Sequence, residues 1–257
     1  MNRRSRMLEA LGVSTEWMLR SAAPGEAAPA EIAVAEPAAV EPAAPNLESR
    51  VTQATDAGTE AVASRAQRIA AFDWAQLEAA VSDCTSCKLC ERRTQTVFGV
   101  GDRQAEWMMI GEAPGEQEDK QGEPFVGQAG KLLDSMLRAI GLTRETGVFI
   151  ANVLKCRPPG NRDPEPDEVA MCDPYLKRQI ALVKPRVIIV LGRFAAQSLL
   201  QTQTPVGKLR GKVHEVEGVP VVVTYHPAYL LRTLTDKARA WEDLCLARQV
   251  YAERGGQ

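Results

Sequence analysis

Four cysteines, Cys84, Cys87, Cys156 and Cys172, have a spacing typical of a metal centre. Cys84 and Cys87 form a Cys-x2-Cys pair, which lets two thiolates from one turn reach one centre, and the two distant cysteines complete a set of four ligands. A fifth, Cys90, follows the pair at the same spacing. The spacing alone leaves three interpretations open: an iron–sulfur site, a tetrahedral zinc site, and buried or redox-active thiols.

Three loop motifs carry groups that could hold a planar polar ligand. They are GEAPG from Gly111, Asn152 at the end of an apolar run, and HPAYLLR from His226. An amide such as that of Asn152 offers both a donor and an acceptor, so it can pair with one edge of a base. Phe125, in the glycine-rich stretch GEPFVG, could stack on a flat ligand. A tight turn or a phosphate-binding loop also explains GEAPG, although the Lys-Ser/Thr of a Walker loop is missing.

The elements that must position these motifs are short apolar strands alternating with helices. Such strands indicate a mostly parallel sheet covered on both faces, so we predict an α/β fold, a three-layer α/β/α sandwich around a four-stranded sheet. The predicted strands are Trp107–Ile110, Val148–Val153, Val187–Leu191 and Val219–Thr224, and the main helices are Phe72–Val81, Gln128–Ile140, Asp167–Val183, Arg193–Leu200 and Asp236–Tyr251. Ligands of open α/β sheets bind at the carboxyl ends of the strands, where all three motifs begin.

Composition and charge exclude several classes of protein. The chain has 257 residues, 45% hydrophobic and 25% charged, as expected of a soluble globular protein. No apolar run is long enough to cross a membrane, and we expect a cytoplasmic protein with cysteines in a reducing compartment. A net charge of -2 gives no bulk attraction to nucleic acid, so any such contact must come from local clusters of basic residues.

Three zones are predicted along the chain. Residues 1–20 contain a short helical motif at 6–20, which could dock in a partner's groove or be an unstructured extension. Residues 21–68, rich in Ala and Pro at their start, are predicted to be a disordered linker. Residues 69–257 are predicted to form the folded domain.

The ordered region resembles the family 4 uracil-DNA glycosylases, the iron–sulfur branch of that superfamily. The resemblance covers residues 74–253 and depends on long motifs in a fixed order. They are CTSC at 84–87, GEAPGEQED at 111–119, GEPFVGQAGKLLD at 122–134, NVLKCRPPGNRDP at 152–164, VLG at 190–192, LRGK at 209–212 and HPAYLLR at 226–232. Residues 1–70 lie outside it.

The resemblance implies a monomeric, monofunctional enzyme that removes uracil from uracil-containing DNA and leaves an abasic site. It implies a structural [4Fe-4S] cluster on Cys84, Cys87, Cys156 and Cys172. It assigns catalysis to Glu112, Ala113 and His226, and substrate binding to Phe125, Asn152, Glu118 and Asn161. Glu118 is also our candidate for excluding thymine at C5.

The target nucleotide must leave the stack to be reached, which requires contacts to DNA. Leu230 or Leu231 is the expected apolar wedge, and Arg232, Arg210 and Lys212 are expected to contact DNA. Two alternatives remain. A related protein that traps uracil-DNA covalently would need an inserted loop and a histidine after Gly122, which this chain lacks. An electron-transfer protein would not need the Asn152, Phe125 and His226 arrangement.

Overall fold

The computed structural model describes residues 64–256. The predicted helical motif at 6–20 and most of the predicted linker lie outside the described residues. Residues 64–70 are helical, and within them the Arg65 guanidinium donates to Met171 O at 2.9 Å and lies 4.8 Å from the centroid of the Tyr175 ring. The linker boundary at residue 68 is therefore wrong by at least five residues, since the domain already includes residue 64.

A single mixed sheet of six strands forms the centre of the domain. The strands are β1 (Val100–Gly101), β2 (Trp107–Gly111), β3 (Val148–Asn152), β4 (Val187–Leu191), β5 (Val213–Val216) and β6 (Val219–Thr224), in the order β1-β3-β2-β4-β6-β5. The four inner strands are mutually parallel, and both edge strands are antiparallel to their neighbours.

The predicted four-stranded sheet is therefore corrected to six strands. The four predicted strands exist because β2, β3 and β4 are buried at every residue and β6 at all but its first, which gives uninterrupted apolar runs. The edge strands give weaker patterns. β1 has only two residues, and β5 alternates between exposed and half-buried positions, as an edge strand does.

Helices cover both faces of the sheet, which gives three layers. The α-helices are α1 (Trp74–Ser82), α2 (Glu116–Gln121), α3 (Gln128–Ala139), α4 (Pro166–Val183), α5 (Arg193–Leu199), α6 (Val206–Leu209), α7 (Pro227–Leu230) and α8 (Lys237–Glu253). Side chains of a strand alternate between faces. Accordingly, Trp107 and Met109 pack with residues of α3 and α8, whereas Met108 and Ile110 pack with residues of α4 and α5.

The helix boundaries follow local signals in the sequence. α1 begins after Asp73, whose side chain accepts the Gln76 N–H at 2.8 Å while the Gln76 side chain accepts the Asp73 N–H, a complete capping box. The predicted ends of α3, α4, α5 and α8 agree with the structure within two residues. Within residues 64–256, no helix combines the length and apolar character needed to cross a bilayer.

Parallel pairing brings the motif-bearing strand ends to one edge. Gly111 at the end of β2 is directly opposite Asn152 at the end of β3, and Leu191 at the end of β4 is opposite Thr224 at the end of β6. The loops that follow β2, β3 and β6 therefore start at the same edge of the sheet, as the sequence predicted.

Candidate active site

A cavity of about 720 Å³ opens at this carboxyl edge. Its volume is in the range of ordinary small-molecule sites. Its wall includes seven of the residues expected at the catalytic and base-binding site, together with Arg232: Glu112, Ala113, Glu118, Phe125, Asn152, Asn161 and His226. The structure thus gathers into one cavity groups that are up to 114 positions apart in the sequence, from Glu112 to His226.

Asn152 places an unsatisfied acceptor in this cavity. The residue is 2% exposed, and its Oδ1 is buried without a hydrogen-bond partner among the described residues. A buried polar atom that lacks a partner costs about 1–3 kcal/mol, so such atoms at a cavity wall commonly serve a ligand. The backbone beneath is fixed, because Lys155 Nζ donates to Asn152 O at 2.7 Å.

Gly111 leaves the space between Asn152 and Phe125. A Cβ at this position would lie 2.4 Å from Asn152 Oδ1 and 2.5 Å from the tip of the Phe125 ring. The absent side chain is therefore what lets the amide and the ring approach the same small volume. The sequence placed Gly111 at the start of the GEAPG motif, but it gave no sign of this packing role.

Phe125 is held in a backbone conformation that non-glycine residues rarely adopt. Its φ is 56°, and its side chain is 6% exposed. The ring centroid lies 5.6 Å from that of His226, with the planes inclined by 31°. Glu118 secures the following residues, since its Oε1 accepts the N–H groups of Val126 at 2.9 Å and Gly127 at 3.0 Å.

His226 is a neutral imidazole that presents one N–H. It is the N-cap of α7, and its Nδ1 accepts the Ala228 N–H at 3.1 Å. Burial first, and then the positive charge of Arg232, lower the pKa of His226 to about 4. A neutral ring whose Nδ1 is an acceptor carries its proton on Nε2, so Nε2–H is the donor that this residue can offer.

Glu112 is a carboxyl group whose protonation the site controls. Burial, and then the negative charge of Asp163, raise the pKa of Glu112, while Arg193 opposes them. Its backbone is tied to the neighbouring loop, because Glu112 O accepts the Leu154 N–H at 3.0 Å. A raised pKa makes a carboxylate a better proton acceptor.

Asn161 and Ala113 occupy different parts of the wall. Asn161 has a φ of 54°, and its Oδ1 accepts the Arg157 Nε–H at 2.8 Å, so part of its hydrogen-bonding capacity is used within its own loop. Ala113 lines the cavity and also packs against the apolar cluster that contains Cys156 and Cys172. The GEAPG loop and the cysteine region are therefore in direct contact.

Two of the residues expected to contact DNA have other roles. Leu230 is 1% exposed and packs in the core, so it cannot be a wedge, whereas Leu231 is 42% exposed. Arg210 donates to Asp243 Oδ2 at 3.1 Å and to Arg239 O at 2.6 Å. Because these bonds occupy its guanidinium and its side chain is only 14% exposed, Arg210 is a structural residue.

Arg232 and Lys212 are exposed, as a contact to phosphate requires. The sequence did not single out Arg193, which lines the cavity beside Glu112 and pairs with Asp163 at 2.7 Å. Its position directly after Gly192 in the VLG motif was the available signal.

Three of the cysteines lie together next to Ala113 of the GEAPG loop. Cys156 and Cys172 are buried in one apolar cluster with Leu89 and Leu154, and Cys87 packs against it. Burial raises the pKa of Cys172 to about 12, and nearby Cys156 and Cys87 act in the same direction. No three His, Cys, Asp or Glu side chains in the part of the chain that the structure describes are grouped to hold a single metal ion.

Cationic and N–H groups surround these sulfurs. The Arg93 guanidinium donates to Cys156 Sγ at 3.2 Å, and the Arg65 guanidinium reaches Cys84 Sγ at 3.9 Å. Lys155, fully buried next to Cys156, donates to Asn152 O and to Gln179 Oε1 at 2.7 Å each, and burial lowers its pKa to about 7. Lys155 therefore connects the cysteine segment to the residue that carries the unsatisfied amide.

Comparisons with known proteins agree with this geometry. The sequence pattern of the uracil DNA glycosylase superfamily matches residues 98–245. A type-4 uracil-DNA glycosylase of Archaeoglobus fulgidus is 51% identical over 159 residues, which are 59% of this chain and 79% of that protein. The chain belongs to the uracil-DNA glycosylase superfamily. Two further type-4 uracil-DNA glycosylases support the same branch: that of Saccharolobus solfataricus is 49% identical over 59% of this chain and 74% of its own length, and that of Thermotoga maritima is 41% identical over 68% and 93%.

The region that the superfamily pattern matches contains the cavity. The matched region begins at residue 98, just before β1, and ends at residue 245, inside α8. It includes every cavity-lining residue discussed above, whereas Cys84 and Cys87 precede it. The similarity to the Thermotoga maritima protein extends over 179 residues, more than the 148 of the matched pattern.

Proposed function

We propose that this chain removes uracil from DNA by hydrolysing the bond between the base and deoxyribose. The observation that carries the proposal is the buried Oδ1 of Asn152, which has no hydrogen-bond partner among residues 64–256 and lies near the Phe125 ring at the space left by Gly111. An aromatic face and an amide edge in one cavity match the face and the edge of a pyrimidine. The names of the type-4 relatives support the same activity.

Asn152 selects uracil through the pattern of its hydrogen bonds. Its Oδ1 accepts N3–H of uracil, and its amide N–H donates to O4. Cytosine presents an acceptor at N3 and an amino group at C4, so both contacts would be lost. Each unpaired polar group costs about 1–3 kcal/mol, and discrimination of several orders of magnitude requires a rigid amide. The Lys155 bond to Asn152 O helps to hold the Asn152 backbone in place, and Gly111 leaves the room that the amide occupies.

Access to the base requires extrusion of the nucleotide from the duplex. Leu231, which is exposed, is the side chain that fills the gap left in the base stack by the extruded nucleotide. Arg232, Lys212 and Arg193 supply positive charge for the phosphates around it. Phe125 then stacks on the extruded base.

Cleavage develops negative charge on uracil and positive charge on the sugar. His226 Nε2–H donates a hydrogen bond to uracil O2, where the negative charge accumulates, and the neutral ring keeps its proton. Glu112, with the backbone of Ala113, orients the water whose oxygen bonds to C1′. The base leaves with the electrons of the broken bond, water supplies those of the new bond, and the proton that the water loses passes to Glu112. A positioned donor of this kind contributes about 3–4 kcal/mol.

The enzyme is proposed to be monofunctional. A lyase step needs an amine that forms a Schiff base, and no lysine lines the cavity among the described residues. The product is then an intact strand with an abasic site. We also propose that Glu118 limits the space near C5 of the base, that Asn161 contacts the nucleotide, and that the protein acts as a cytoplasmic monomer.

The four cysteines are proposed to hold an iron–sulfur cluster of the [4Fe-4S] type. Supporting observations are the shared apolar cluster around Cys156, Cys172 and Cys87, and the Arg93 and Arg65 groups directed at sulfur, which stabilise thiolate charge. When bound, the cluster would cross-link three segments of the chain as a structural element. Iron and sulfide content of purified protein, with Cys172→Ala as the comparison, tests this assignment.

The activity is tested with a labelled oligonucleotide that contains one uracil, with cleaved strands counted before and after alkali. We expect breaks only with uracil and only after alkali, and a loss of at least two orders of magnitude in His226→Ala. Breaks before alkali would contradict the monofunctional assignment. An absence of breaks from protein with its full iron content would favour a binding or electron-transfer role.

A further inference from the structure

Arg144 lies in the loop between α3 and β3, outside every motif discussed above. Its guanidinium donates to two consecutive backbone carbonyls, Pro124 O at 2.7 Å and Phe125 O at 2.6 Å. It also binds Asp134 Oδ1 through Nη2 at 2.9 Å and Nε at 3.1 Å. The Arg144 side chain is 17% exposed, so these contacts are mostly shielded from water.

The carbonyls that Arg144 binds belong to the strained part of the base pocket. Phe125 has a φ of 56°, a conformation that costs a residue with a side chain about 1–3 kcal/mol and persists only where its surroundings enforce it. α3 approaches so closely that a Cβ at Gly130 would lie 1.6 Å from Phe125 O. The carbonyl is thus confined between Gly130 and the Arg144 guanidinium.

The following peptide groups are fixed by a separate residue, since Glu118 Oε1 accepts the N–H groups of Val126 and Gly127. The Phe125 loop is therefore held from both sides: Glu118 binds amides after the ring, and Arg144 binds carbonyls before and at it. Asp134, on α3, fixes the orientation of the guanidinium. The planar fork of arginine suits this task, because it can bind two carbonyls and one carboxylate at once.

We propose that Arg144, oriented by Asp134, is a positioning residue for base binding, which holds Phe125 in the left-handed conformation that presents its ring to the uracil. The inference depends on the proposed uracil-DNA glycosylase activity, and it assigns to Arg144 an effect on base affinity that acts only through Phe125. A purely structural arginine would change stability instead.

The test is a double-mutant cycle with a single-stranded uracil oligonucleotide, in which no duplex has to be opened. Arg144→Met is expected to raise KM and lower kcat/KM roughly ten-fold, because stacking on an aromatic side chain contributes about 1–3 kcal/mol per base. In a Phe125→Ala background the same change is expected to lower kcat/KM less than three-fold, since the ring that Arg144 positions is gone. Arg144→Lys, which keeps the charge but not the fork, should fall between wild type and Arg144→Met.

Arg178→Met is the matched control, because Arg178 also donates to a backbone carbonyl, Phe72 O at 2.6 Å, but outside the pocket. It should leave KM unchanged. If Arg144→Met does not fold, Asp134→Asn and Arg144→Lys carry the same cycle. If the losses of kcat/KM from Arg144→Met and Phe125→Ala multiply in the double variant, the role proposed for Arg144 is wrong. An unchanged KM in Arg144→Met would overturn it as well. A wild-type protein that releases no uracil would instead refute the proposed activity, so the two failures are distinguishable.

Discussion

His226 makes the stability of the domain depend on pH in a way that can be calculated. Its pKa is about 4 in the folded protein and about 6.5 in an unfolded chain. Because the unfolded state binds the proton more readily, stability is lost as pH falls below about 6.5, and the loss stops below about 4. The full difference corresponds to about 3 kcal/mol, of which about 2 kcal/mol is lost between pH 7.5 and pH 5.

His226→Asn isolates this contribution. Asparagine is a favourable N-cap residue and can still accept the Ala228 N–H, so α7 keeps its cap while the titrating ring is removed. The melting temperature of wild type should therefore fall between pH 7.5 and pH 5 by roughly 4–8 °C more than that of His226→Asn. Because both proteins are measured at each pH, the effects of acid that they share, including any on the cysteines, cancel when their melting temperatures are compared.

His214→Asn is the control, since it changes the other histidine, whose Nε2 hydrogen-bonds Leu209 O at 2.8 Å. The melting temperature of His214→Asn should fall between pH 7.5 and pH 5 as steeply as that of wild type. Parallel pH profiles of wild type and His226→Asn would refute the conclusion that the ring is neutral in the fold. The donor assigned to Nε2 would then be an imidazolium.

Three further changes test separate parts of the structure. Gly111→Ala should reduce uracil release at least ten-fold, because the new Cβ would displace the Asn152 amide and the tip of the Phe125 ring, and unchanged release would contradict that packing role. Leu231→Ala should slow duplex cleavage roughly ten-fold more than single-strand cleavage, since only the duplex must be unstacked, and equal losses would exclude a wedge. Lys155→Met should lower the melting temperature by roughly 5 °C or more, because Asn152 O and Gln179 Oε1 would lose the Lys155 donor at a cost of about 1–3 kcal/mol each. An unchanged melting temperature would contradict this role of Lys155.

The arrangement of the site could be predicted because strands and the residues after them are adjacent in sequence. Asn152 and His226 follow apolar runs that pattern alone identifies as buried strands, and parallel strands bring their carboxyl ends together. The roles of these residues required the resemblance to a family. The neutrality of His226 required the structure, since its lowered pKa arises from burial and then from the positive charge of Arg232.

Other features depend on contacts that no local pattern records. α7 has four residues, barely one helical turn, so periodicity could not show that Leu230 points inward and Leu231 outward. The partner of Arg210, Asp243, lies 33 positions later. The role of Arg144 depends on the positive φ of Phe125, which nothing in the residue type suggests.

In the proposed mechanism, Asn152 recognises the N3–H edge of an extruded uracil through hydrogen bonds. The most direct measurement compares single-turnover release of uracil and of N3-methyluracil from otherwise identical single-stranded oligonucleotides, by wild type and by Asn152→Ala. We expect wild type to release uracil at least 100-fold faster than the methylated base, and Asn152→Ala to be slow with both and to discriminate little. Equal release of the two bases by wild type would contradict the account, because the buried amide of Asn152 would then not be the group that recognises the base.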